Sequence, residues 1–132
     1  MVVRTGKRRV GMLGMSFKPG TDDLRESPLV SLIELMVGKG LELAIYDRDV
    51  SEARLIGSNK EYIEGEIPHI WSLVKPTAAE VIAAGEVVIV GNATGEIRAL
   101  GAGAFAGKTV IDLARLFPAR PVGVAGYDGI CW

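Results

Sequence analysis

RVGMLGMSFKPGTDDLRESPLVSLIELMVGKGLELAIYD, residues 9–47, decides the architecture. Arg9–Leu13 is a short apolar run stopped by Gly14, which reads as a buried strand. Ser27 followed by Pro28 supplies an N-cap and a first-turn proline. Behind them Leu29, Leu32, Ile33 and Met36 recur at helical spacing until Gly38-Lys39-Gly40 ends the helix. Leu41–Tyr46 is a second apolar strand, with Asp47-Arg48-Asp49 at its C-terminal end. Strand, helix, strand with no tight hairpin between the strands is the unit that builds parallel sheets.

The remaining sequence extends that unit. Val50 to Lys75 is less regular and reads as a short helix near Ser51–Ile56, a second broken by Pro68, and a loop through Trp71. Thr77-Ala78-Ala79-Glu80 matches a capping box and starts a helix running to about Ala84. Val87–Val90 is too short and too β-branched to be anything but a buried strand. Gly91-Asn92-Ala93-Thr94 turns into a short helix, Thr109–Leu113 forms a fourth strand, and Gly123–Tyr127 is placed as a fifth. The expected fold is α/β: a Rossmann-like three-layer domain, with a mostly parallel sheet of four to six strands and helices on both faces.

Composition bounds the function. At 132 residues the chain fits one domain, which buries roughly two thirds of its unfolded surface. Fifteen basic against sixteen acidic side chains leave no net field to gather nucleic acid or an anionic membrane, so ligands must be recognised locally. No run reaches the roughly 18 apolar residues of a membrane span, and the single cysteine, Cys131, has no internal disulfide partner, so the cytoplasm is the expected compartment. Residues 1–8 are short and basic and read as an interdomain linker or an arbitrary start, with residues 9–132 as one domain of a longer protein.

In an open parallel sheet, ligands sit beyond the carboxyl ends of the strands. The polar segment after the first strand lies there by topology. Lys18 follows the strand closely, Arg25 stands just before the cap, and the helix start itself favours an anion. Asp22 and Asp23 would repel a bare phosphate, so they read as organisers that aim the two cations. The G-x-G-x-x-G dinucleotide fingerprint is absent after the first strand, and the loop is too long to seat a pyrophosphate on the helix start in the usual way. Residue chemistry alone leaves an anion site and a salt-bridged structural loop as equal readings.

Other positions are weaker candidates. Asp47 would take a ribose in a dinucleotide fold, a role discounted here because the fingerprint is missing. Asp112 and Arg115 end a strand and could line the same cleft. His69 has no cysteine or carboxylate at ligand spacing, so no metal is expected. Trp71 and Trp132 read as packing residues and Cys131 as a small buried hydrophobe.

GMSFKPGTDDLRESP, with F-K, T-D-D and R-E-S-P in that order, resembles the signature that opens the C-terminal domain of the UDP-glucose and GDP-mannose dehydrogenase family. NKEYIEGEIPHI, VVIVGN and the terminal GICW look more like the GDP-mannose branch than the UDP-glucose branch, so the resemblance spans Arg9 to Trp132. It implies an NAD-dependent enzyme that oxidises C6 of a nucleotide sugar to a carboxylate in two steps through a cysteine thioester, for alginate-type polysaccharide synthesis. Such an enzyme has an N-terminal domain that binds most of the NAD, a long central helix used for homodimerisation, and a C-terminal nucleotide-sugar domain. Carried over by position, Lys18 with Phe17 beside it would contact the nucleotide sugar, and Arg25 would reach the cofactor across the interdomain cleft. The nucleophilic cysteine belongs to a part of the enzyme that Cys131 does not match, so no catalytic residue is expected in this chain and it should be inert alone. A non-catalytic nucleotide-binding or regulatory module, and a packing domain with a merely structural loop, are the readings from other classes.

Overall fold

A computed structural model of the chain describes residues 6–14, 28–48, 70, 72–117 and 121–129. Within these, strand β1 (Arg9–Leu13) leads through helix α1 (Pro28–Gly38) to β2 (Glu42–Tyr46). Helix α2 (Ala78–Ala84), β3 (Val87–Val90), a five-residue helix α3 (Gly95–Ala99), a 3-10 turn (Ala102–Phe105), β4 (Thr109–Asp112) and β5 (Gly126–Gly129) follow. The five strands form one sheet in the order β2-β1-β3-β4-β5, and every neighbouring pair is parallel.

Alternation along the strands divides the core between two faces. Val10, Met12, Leu43, Ile45, Val87, Ile89 and Ile111 point to one side, where Val30, Ile33 and Met36 of α1 cover them. Leu13, Ala44, Tyr46, Val88, Val90 and Val110 point to the other, against Ala78, Val81 and Ile82 of α2 together with Phe105. Helices therefore lie on both faces, as the near-continuous apolar strands require.

Close approach of α2 to the sheet depends on a missing side chain. A β-carbon on Gly11 would stand 2.6 Å from the Val81 carbonyl oxygen, so α2 sits where only glycine in β1 admits it. The helix is closed at both ends: the Thr77 hydroxyl accepts from the Glu80 amide, and Lys108 Nζ donates to the Gly85 carbonyl at 2.7 Å. On the outer side of β2, the Ile45 amide donates to the Leu73 carbonyl and the Lys75 amide to the Ile45 carbonyl. The segment around Val74 thus covers an edge that would otherwise expose unpaired backbone groups.

Two strand ends differ from their sequence reading. β4 stops at Asp112, whose carboxylate leaves the ladder to hold the next turn. β5 begins at Gly126, three residues later than expected, because Gly107 N–H donates to Gly123 O and the Ala125 and Gly126 amides to Lys108 O before pairing with Thr109 starts. The irregular helices read near residues 51–56 and Pro68 lie outside the described residues. Among the described residues no helix is long and apolar enough to cross a membrane.

Candidate functional site

The strand order locates a cleft before any side chain is considered. β1 and β2 succeed each other in one direction, and β3 then starts on the opposite side of β1, so connections diverge at the carboxyl ends of β1 and β3. Register is flush there: Leu13 pairs with Tyr46 and with Val90, and Val90 with Asp112. A small, half-open cleft lies at this end, lined by Gly14, Tyr46, Asp47, Arg48, Asn92, Thr94 and Ile97.

Backbone geometry shapes the floor. Gly14 leaves β1 at φ 95°, a left-handed conformation that glycine adopts without penalty. Its amide donates to the Tyr46 carbonyl at 2.7 Å, while Gly91 and Asn92 amides both donate to the Leu13 carbonyl. The first turn of α1 reaches the same place, since a β-carbon on Gly91 would meet Leu29 Cδ1 at 2.9 Å and the Gly14 carbonyl oxygen at 3.0 Å.

Helix α3 forms one wall and is pinned three ways. The Thr94 hydroxyl accepts from the Ile97 amide, which caps the helix and leaves the hydroxyl hydrogen to donate elsewhere. Arg98 Nη1 donates to the Leu116 carbonyl at 3.2 Å. The Tyr46 hydroxyl donates to Glu96 Oε1, and Arg48 Nη1 stands 3.8 Å from Glu96 Oε2. Burial first, and then the Glu96 carboxylate, push the Tyr46 phenol above its ordinary range, so it stays protonated and keeps donating.

Asp47 is only 5% exposed although it directly follows β2 and lines the cleft. Sequence reasoning discounted it for want of the glycine fingerprint, yet the fold brings it to Gly14 and Asn92. Asn92, likewise buried, drew no attention in the sequence beyond its turn, because nothing local announces that β3 ends beside β1.

Asp112 corrects an expectation. Rather than lining the cleft, its buried carboxylate accepts from the Ala114, Leu116 and Phe117 amides and from the Tyr127 hydroxyl at 2.5 Å. It organises the turn after β4, in which Arg115 takes φ 55° and its side chain is exposed. Phe117 completes the knot, packing edge-on against Phe105 and Tyr127 at ring separations of 5.5 and 6.2 Å.

Phe17, Lys18, Asp22, Asp23, Arg25, His69, Trp71, Cys131 and Trp132 lie outside the described residues. What the described ones establish is where the segment of Lys18 and Arg25 begins and ends. Gly14, on the cleft floor, stands four residues before Lys18, and Pro28, the first residue of α1, three after Arg25.

Comparison with known proteins gives this arrangement its relatives. Residues 11–119 match the family described as UDP-glucose/GDP-mannose dehydrogenase family, UDP binding domain. Over 126 residues, 96% of this chain, the sequence is 49% identical to GDP-mannose 6-dehydrogenase of Pseudomonas putida, but it spans only 29% of that protein. The fold matches a ternary complex of GDP-mannose dehydrogenase from Pseudomonas aeruginosa with a TM-score of 0.90 at 46% identity, covering 99% of this chain and 30% of the other. A UDP-glucose dehydrogenase from the archaeon Pyrobaculum islandicum matches with a TM-score of 0.71 at 25% identity, covering 98% and 27%.

Proposed function

This chain belongs to the UDP-glucose/GDP-mannose dehydrogenase family, and we propose that it is the nucleotide-sugar-binding domain of a GDP-mannose 6-dehydrogenase, residues 9–132 forming that domain behind a linker at 1–8. The enzyme it serves converts GDP-mannose to GDP-mannuronate with NAD, in the cytoplasm and as a homodimer. The NAD-binding domain and the reactive cysteine are supplied by the rest of that enzyme, so the chain alone binds but does not oxidise.

One observation carries the reading. The segment holding Lys18 and Arg25 springs from the cleft floor at Gly14 and ends at the first turn of α1, at the carboxyl ends of the strands where this class of sheet takes its ligands. Lys18, with Phe17, serves the nucleotide sugar, and Arg25 the cofactor, so two cations meet two different anions. The chain's 46–49% identity to GDP-mannose enzymes against 25% to the UDP-glucose enzyme supports guanine over uracil as the base.

Titrating the chain with GDP-mannose, UDP-glucose and NAD tests this directly. GDP-mannose should bind most tightly. Tighter binding of UDP-glucose would move the chain to the other branch of the family, and binding of none would reduce it to a packing domain.

A further inference from the structure

We infer that Arg48 is a further ligand-binding residue, paired with Glu96 before the nucleotide sugar arrives and passed to its diphosphate on binding, with Tyr46 and Glu96 as the residues that position it. The inference rests on the nucleotide-sugar reading above and adds a described residue to it.

Place is the first observation. Arg48 follows the end of β2 at the carboxyl side of the sheet, and it lines the same cleft as Gly14, where the segment carrying Lys18 and Arg25 begins. Leu13 pairs with Tyr46, so the exits of β1 and β2 lie side by side. A diphosphate bound above Gly14 meets the Arg48 side chain at the same mouth.

Exposure is the second. The cleft is too small for a sugar or a base, and Tyr46, Asp47 and Asn92 are buried in it, so a ligand rests on the rim. Arg48 reaches that rim, with its side chain 63% exposed.

The third is the weakness of its present bond. Arg48 Nη1 stands 3.8 Å from Glu96 Oε2, beyond the roughly 2.7–3.2 Å of an N–H···O hydrogen bond, in a pair open to water where such pairs hold weakly. A phosphate offers the planar guanidinium two oxygens in a matching fork, so exchange favours the ligand. Glu96 is held back from following. The Tyr46 hydroxyl donates to its other oxygen, and Arg98 ties α3 to the turn after β4. Because the Tyr46 phenol stays protonated, Glu96 keeps a donor after Arg48 leaves.

The test uses GDP, with guanosine as the phosphate-free control, in calorimetry and NMR on the chain. Arg48→Ala should weaken GDP about tenfold and leave guanosine unchanged. Glu96→Gln keeps an acceptor for Tyr46 and removes the charge that competes for Arg48, so it should tighten GDP by about twofold. A purely structural ion pair gives the opposite sign. On the unmodified chain the Arg48 Nε–H resonance should shift with GDP and stay in place with guanosine. No shift at saturating GDP would overturn the inference whether or not the variants fold. So would unchanged GDP affinity in a folded Arg48→Ala, or any weakening in a folded Glu96→Gln. Failure of GDP itself to bind would instead overturn the nucleotide reading, and the role of Arg48 with it.

Discussion

A β-carbon on Gly14 would stand 2.8 Å from both Cβ and Nδ2 of Asn92, so the floor and one wall of the cleft touch at a point where only glycine fits. Gly14 also holds φ 95°. Gly14→Ala should therefore lower stability by about 2 kcal/mol, a fall in Tm of roughly 6–10 °C. Combining it with Asn92→Gly should cost less than the sum of the two single changes, because the clash ends while the backbone strain persists. Thermal unfolding of the four proteins in that cycle checks both statements. Strict additivity would mean the two residues do not meet.

Asp112 should behave as a structural acid. Asp112→Ala removes the acceptor of three backbone amides and of the Tyr127 hydroxyl, and should cost about 3 kcal/mol in denaturant unfolding. Tyr127→Phe removes one donor only and should cost about 1 kcal/mol. Nucleotide affinity of the folded fraction should be unaffected in both, since neither residue lines the cleft.

Alkaline pH should expose two shielded phenols, the buried Tyr46 and the half-buried Tyr127. Burial raises Tyr46 and Tyr127 above the ordinary phenol value of 10.0, and the carboxylates of Glu96 and Asp112 add to the rise. The folded state then keeps protons that the unfolded state releases, so these groups impose no pH dependence on stability below about pH 10 and diminish it as pH rises further. Phenolate absorbance should show Tyr46 and Tyr127 ionising only as the chain unfolds. Removing both hydroxyls, by Tyr46→Phe and Tyr127→Phe, should flatten the alkaline decline.

The sheet was legible in the sequence because its signals are local. Val87–Val90 has no other reading, Ser27-Pro28 and Thr77–Glu80 mark helix starts, and Thr77 does cap α2 as its spacing implies. The last strand was misplaced because Gly123–Tyr127 carries turn residues as well as strand residues, and pairing of Lys108 with Ala125 and Gly126 fixes the boundary from far away. Asn92 and the Tyr46–Glu96 contact were hidden for the same reason, and the place of Asp47 beside them with it. They meet only because β2, β1 and β3 lie side by side, and no spacing along the chain encodes that order. Asp112 misled because an acid at a strand end is equally suited to a ligand and to the strand's own following turn.

Lys18 and Arg25 should separate by ligand. In the full-length enzyme of which this chain is proposed to be the nucleotide-sugar domain, Lys18→Ala should weaken use of the sugar nucleotide by about 10–100-fold, with a smaller effect on NAD. Arg25→Ala should chiefly raise the NAD requirement. Initial rates of NADH formation with each substrate varied in turn distinguish the two, and wild-type behaviour in both variants would end the assignment.

The central claim is that ligand enters at the carboxyl ends of the strands. Amide NMR of the isotopically labelled chain titrated with GDP-mannose tests it most directly. The account predicts shifts concentrated at Gly14, Asp47, Arg48, Asn92 and Thr94, with Arg9, Glu42, Glu86 and Thr109 at the opposite end of the sheet unmoved. Shifts gathered at that opposite end, with the cleft silent, would contradict it.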